Sequence, residues 1–121
     1  MKFSTTKDFE KDLKHLKKKF QSLEEDLNTL KAYGIKLFHQ GINAINIVQI
    51  PGFLNNQFTI YKVRTIACES LKNRGKQSRL RLIYAYNTEN DESILIELYF
   101  KGEKENENKE RIKAFLKFYE V

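Results

Sequence analysis

Hydrophobic side chains recur at one period in the first third of this chain and at another in the remainder. Phe9, Leu13, Leu16 and Phe20 stand four, three and four residues apart, and Leu23, Leu27, Leu30, Gly34, Leu37 and Phe38 continue a second stripe of the same kind. Such spacing gathers side chains on one face of a helix and predicts two helices that meet near Gln21. Ser22 followed by Glu25 has the capping-box arrangement for the second of them. From Phe58 onward the period falls to two, predicting strands at Phe58 to Cys68, Arg79 to Tyr86 and Ser93 to Lys101. A short strand at Lys2 to Thr5 precedes the helices. A final helix carries Ile112, Phe115, Leu116 and Tyr119 on one face.

The short link between the two helices predicts an antiparallel hairpin, with Lys11, Lys14, Lys18, Glu24 and Lys31 on solvated outer faces. The polar breaks after the first two long strands, one holding Asn73, Gly75 and Ser78 and the other running Asn87 to Glu92, predict consecutive antiparallel pairing. The expected fold class is therefore α+β: a strand and helical hairpin packed on an antiparallel sheet of about four strands, with a C-terminal helix. Between Gln40 and Asn56 the pattern gives no single answer. Its apolar run, Ile45 to Ile50, reads as a short strand or as a buried loop segment.

At 121 residues the chain has the size of one domain, taken as residues 1–121, and a 40% hydrophobic content supplies a core. No run reaches the roughly 20 apolar residues of a membrane helix, and MKFSTTKDFE lacks the apolar stretch of a signal peptide, so a cytoplasmic location is expected. The single cysteine, Cys68, has no partner for an internal disulfide, and two histidines with one cysteine fall short of a structural zinc site. No metal or other cofactor is expected.

The net charge is +6, and its placement is uneven. The stretch from Lys62 to Arg81 holds seven basic residues (Lys62, Arg64, Lys72, Arg74, Lys76, Arg79 and Arg81) against one acid, Glu69, and so accounts for the whole excess. Strand alternation puts Lys62 with Arg64, Arg79 with Arg81, and Tyr99 with Lys101 and Glu97 on one face. Tyr61, Val63, Leu80, Leu82, Tyr84, Tyr86, Ile94, Ile96, Leu98 and Phe100 fall on the other, the expected core face. Adjacent strands would then present a cluster of cations suited to a phosphodiester. Such a cluster permits metal-free RNA cleavage: Arg64 and Arg81 stabilise the phosphate, Lys62, its pKa lowered by crowded cations, serves as base, and Tyr99 or a lysine protonates the leaving oxygen. It equally permits binding without catalysis, with the cations paired to Glu97, Glu69 and Glu103.

Other polar residues carry less. His15 and His39 read as surface histidines and Cys68 as an incidental thiol. Lys76 follows Gly75, but neither the hydroxyl residue nor the upstream glycine of a phosphate-binding loop is present.

The order of elements, together with YKVR at Tyr61 to Arg64, LRLIYAY at Leu80 to Tyr86 and ELYFKGEKEN at Glu97 to Asn106, resembles the RelE/ParE toxin superfamily over nearly the whole chain. The resemblance implies a RelE-like toxin of a bacterial type II toxin-antitoxin system, a ribosome-dependent, metal-independent endoribonuclease that cuts mRNA in the 30S A site and is held inactive by a cognate antitoxin. The family's basic strand residues fall on Lys62 and Arg64, and its central arginine on Arg81. A basic residue and a Tyr or His follow the last strand in the family. Here Lys101 and Lys104 stand in that region with no Tyr or His before Phe118, so Tyr99 takes the fourth catalytic place. Arg74, Lys76, Arg79, Lys101 and Lys104 are the expected RNA-binding residues. The alternatives are a ParE-type, gyrase-directed toxin and a noncatalytic nucleic-acid or protein-binding module of the same fold.

Overall fold

A computed structural model describes residues 1–42, 46–67 and 79–119. Within them the chain is α+β, with elements in the order β1 (Lys2–Thr5), α1 (Lys7–Lys17), α2 (Leu23–Leu30), a π-helical turn (Lys31–Ile35), α3 (Lys36–His39), β2 (Ile47–Leu54), β3 (Thr59–Val63), β4 (Leu80–Asn87), β5 (Glu92–Phe100) and α4 (Lys109–Phe118). Among the described residues, no helix is long and apolar enough to cross a membrane.

Thr6 starts α1 by accepting a hydrogen bond from the Phe9 amide, and Asp8 and Glu10 favour the positive end of that helix. Ser22 precedes α2 without a side-chain cap: its hydroxyl donates to Asp26 Oδ2 at 2.7 Å, so the expected capping box with Glu25 does not form.

The strands form one five-stranded sheet, ordered β1-β5-β4-β3-β2. This corrects the expected four antiparallel strands in two ways. The connector supplies β2, and β1 lies parallel to β5. Parallel pairing follows from the route of the chain, because the whole helical layer and three strands intervene between β1 and β5. Strand β2 carries Pro51 and Gly52, which read as a turn, yet β2 is an edge strand, where proline costs no ladder bond. Its register shifts between Gln49 and Leu54, and Gly52 adopts φ 84°, a conformation that only glycine takes without strain. The expected consecutive antiparallel pairing of β3, β4 and β5 is present. The break containing Asn73, Gly75 and Ser78 lies outside the described residues, as does Cys68.

Both faces of the sheet are covered. One cluster joins Phe9, Leu16, Phe20, Leu23 and Leu27 of the hairpin to Val63, Leu80, Leu82, Tyr84, Leu95 and Leu98. The second joins Ile112 and Phe115 of α4 to Ile50, Phe58, Ile60, Ile83, Ala85, Ile94, Ile96 and Tyr99. Ile94 and Ile96, expected under the hairpin, therefore lie under α4. A bulge is the cause: Ile83 pairs with Glu97 and Tyr84 with Leu95, which leaves Ile96 as an extra residue and inverts the alternation along β5. The residues after the bulge, Glu97, Leu98 and Tyr99, face as the alternation predicts.

Candidate functional site

Across the sheet, Lys62 stands opposite Ile83, and Arg81 opposite Tyr99. All four side chains face the α4 side. The second apolar cluster covers the middle of that face and gives way to cations at one end. Lys62, Arg64, Thr65, Arg81 and Lys101 line a cleft of about 360 Å³ there. Four of the nine expected site residues are thus brought together, and Thr65 joins them from the polar turn after β3. The strand end is tied on its other side, where the Arg64 amide donates to the Asn46 carbonyl and Asn46 Nδ2 donates to the Thr65 carbonyl, each at 2.8 Å.

The remaining expected residues divide four ways. Tyr99 is only 4% exposed and sits beneath the cleft rather than in its lining, its hydroxyl 3.5 Å from Glu107 Oε1. Arg79, at φ 63°, is exposed and accepts the Lys101 amide at 2.8 Å through its carbonyl. Lys104 pairs with Glu97 and its ammonium lies 5.7 Å from the Tyr99 ring centre, so it closes the loop after β5 instead of lining the cleft. Arg74 and Lys76 lie outside the described residues.

The charge states follow from these neighbours. Burial works against the Lys62 ammonium, but hydrogen bonds to Glu107 and Tyr99 outweigh it and raise the pKa above the usual lysine value. The lowering expected at Lys62 is thus reversed, because a carboxylate partners the ammonium. Crowding by cations is real at Arg81, where burial is the larger cause and Arg79 and Arg64 add to it in lowering the pKa, against Tyr99. At Lys62 a carboxylate lies closer than any cation does, since Nζ stands 2.8 Å from Glu107 Oε1. Burial likewise raises the Tyr99 phenol above its ordinary value, opposed by Lys62, so the phenol holds its proton firmly.

The pairing expected for the noncatalytic case takes a different form. Glu97 is 1% exposed and binds Lys104 and the Asn108 amide, while Glu103 faces His15 at 3.3 Å. Glu69 lies outside the described residues. Glu107, the carboxylate that does reach a cleft cation, was not singled out from the sequence. It belongs to a stretch rich in Glu, Asn and Lys with no period to orient it, and its position is fixed by the buried Glu97 and by the cap that Asn108 forms on α4.

His39 also departs from its surface reading. It stacks on Tyr86 with ring centres 3.6 Å apart, bonds the Tyr84 hydroxyl at 2.8 Å and meets Tyr61 edge-on. Burial drops its pKa to about 4, against the pull of Asp91. This group lies on the hairpin side of the sheet, on the face opposite the cleft.

A cleft with four cations in its lining is suited to a polyanionic backbone, holding successive oxygens of one phosphate or of neighbouring phosphates. Comparison with protein families, with curated proteins and with solved structures finds no match to the chain.

Proposed function

We propose that this protein is a RelE-like toxin of a type II toxin-antitoxin system, a metal-independent endoribonuclease that acts on mRNA in the ribosomal A site of the bacterial cytoplasm and is restrained by a cognate antitoxin. The observation that carries this reading is the convergence of Lys62, Arg64, Arg81 and Lys101, from three strands and their ends, on one cleft. In the proposed reaction the 2'-oxygen of the RNA attacks the adjacent phosphorus and the 5'-oxygen leaves, giving a 2',3'-cyclic phosphate. Arg64 and Arg81 stabilise the charge that builds on the phosphate in the transition state. Lys62 retains its proton and is suited to pass one to the departing 5'-oxygen. The acceptor for the 2'-hydroxyl proton is assigned to water or to a group of the ribosomal complex, in keeping with a ribosome-dependent activity. Tyr99 supports this set from beneath through Glu107 and Lys62.

The test is induced expression in bacteria of the wild type and of Arg81→Ala, with mRNA ends mapped by primer extension. Arg81 lines the cleft and belongs to neither buried cluster, so the variant is expected to fold and to lose cleavage by roughly tenfold or more, as charge-stabilising groups do. Codon-phased mRNA ends that vanish in the variant support the proposal. Growth arrest without new ends points to a gyrase-directed toxin, and a folded protein that causes no arrest points to a binding module.

A further inference from the structure

Glu107, the carboxylate paired with the cleft cation Lys62, neither holds the phosphate nor moves a proton in the proposed reaction. Its side chain is 12% exposed and that of its partner Lys62 is 20% exposed, so the two meet at the edge of the solvent-filled cleft rather than on an open surface. The loop between β5 and α4 holds it there from both sides. On one side the buried Glu97 binds Lys104, and on the other Glu97 Oε1 accepts the Asn108 amide at 2.8 Å while Asn108 caps α4 by accepting the Arg111 amide at 3.1 Å. Two carboxylates thus share the α4 side of the sheet with different surroundings. Glu97 is sealed among fixed partners. Glu107 faces a cation whose neighbours in the lining, Arg64, Arg81 and Lys101, all repel Lys62 and all attract an anion.

We infer that Glu107 is a positioning residue of this cleft: its carboxylate is a resident counter-ion that holds the Lys62 ammonium in place between substrates and yields it to a phosphate oxygen when an RNA backbone enters. The inference rests on the phosphodiester reading of the cleft. An exchange of this kind keeps four clustered cations tolerable in the empty protein and leaves Lys62 aimed where the phosphate will bind. It also sets a cost on entry, because the phosphate that Lys62 receives must displace the Glu107 carboxylate.

Two measurements on Glu107→Gln test it, each made beside the wild type. Lys62 is titrated by NMR through its side-chain carbon next to the ammonium, with no RNA present. Binding of a short RNA oligonucleotide, 2'-O-methylated so that it cannot be cleaved, is measured at low salt. Lys62 is expected to titrate at lower pH in the variant, and the oligonucleotide to bind roughly threefold more tightly, the scale of one part-exposed ion pair. In a Lys62→Met background the same Glu107 substitution is expected to change affinity little. Glu107→Asp, which keeps the charge and draws it back, provides a second variant should the amide disturb the loop, and is expected to shift both readouts the same way by less. An unchanged Lys62 titration, or binding that depends on Arg81 yet is indifferent to Glu107, overturns the inference alone. Oligonucleotide binding that is undetectable or insensitive to Arg81→Ala overturns the phosphodiester reading itself.

Discussion

A partly buried histidine makes the stability of this protein depend on pH. His39 is stacked on Tyr86 and bonded to the Tyr84 hydroxyl, and its pKa falls from 6.5 to about 4 on folding. As pH drops below 6.5 the unfolded chain takes up a proton that the folded chain refuses until about pH 4. The unfolded state therefore binds more protons across that window, and stability decreases as pH falls through it, then levels off below. Discounted for the partly exposed ring, the loss is about 1–2 kcal/mol. Urea unfolding midpoints at pH 7 and pH 5 measure it, and His39→Gln, which retains a partner for Tyr84, is expected to remove most of the difference. At the core, Leu82 is fully buried beneath the hairpin, and Leu82→Ala is expected to cost about 2–5 kcal/mol by the same assay. A response under about 0.5 kcal/mol is that of a surface position and contradicts the placement.

The elements show which parts of this fold were legible in the sequence. Phe9, Leu13 and Leu16 name the inner face of α1 because one side of that helix is wet, and period is then a direct record of burial. In β5 the run Ile94, Leu95, Ile96 is apolar on both faces, since the hairpin covers one and α4 the other, and alternation loses its meaning. The bulge at Ile96 is invisible for the same reason. It is held by long-range polar contacts that no local pattern encodes: Ile96 C=O accepts Arg111 Nη1 at 3.1 Å, the Leu98 amide donates to Asp12 Oδ2 at 3.0 Å, and Arg111 and Asp12 pair at 2.6 Å. These contacts bind α1, β5 and α4 into one unit. Asp12→Ala leaves the Leu98 amide and the Arg111 guanidinium without this acceptor and is expected to cost about 2–4 kcal/mol in urea unfolding. Asp12→Asn keeps an acceptor and is expected to cost less. Equal and small effects from both would show that the ion pair does not hold the bulge. The site divides along similar lines. Lys62, Arg64 and Arg81 were legible because β3 and β4 keep a strict alternation there, whereas Glu107 lies in an aperiodic loop placed by the buried Glu97 and the cap at Asn108.

For the whole molecule, the question is whether its positive charge acts as a diffuse field or as a local site. The sequence places the net excess between Lys62 and Arg81, and the fold sets the cleft on the α4 side of the sheet, away from the lysines of α1, which sit on the hairpin side. These two arrangements give different salt dependences. Single-stranded RNA releases about 0.7 counter-ion for each phosphate neutralised, so a cleft engaging three or four cations predicts a slope of about −2 to −3 for log binding constant against log salt. If the cleft carries the interaction, Arg81→Ala lowers the magnitude of that slope by about 0.7, and Lys14→Ala, on the exposed side of α1, leaves it unchanged. If the field is diffuse, the two substitutions weaken binding alike, since each removes one charge from the same total. Titrating a 2'-O-methylated oligonucleotide at several salt concentrations separates the two cases. Equal slopes for the two variants would remove the cleft's claim to be the nucleic-acid site.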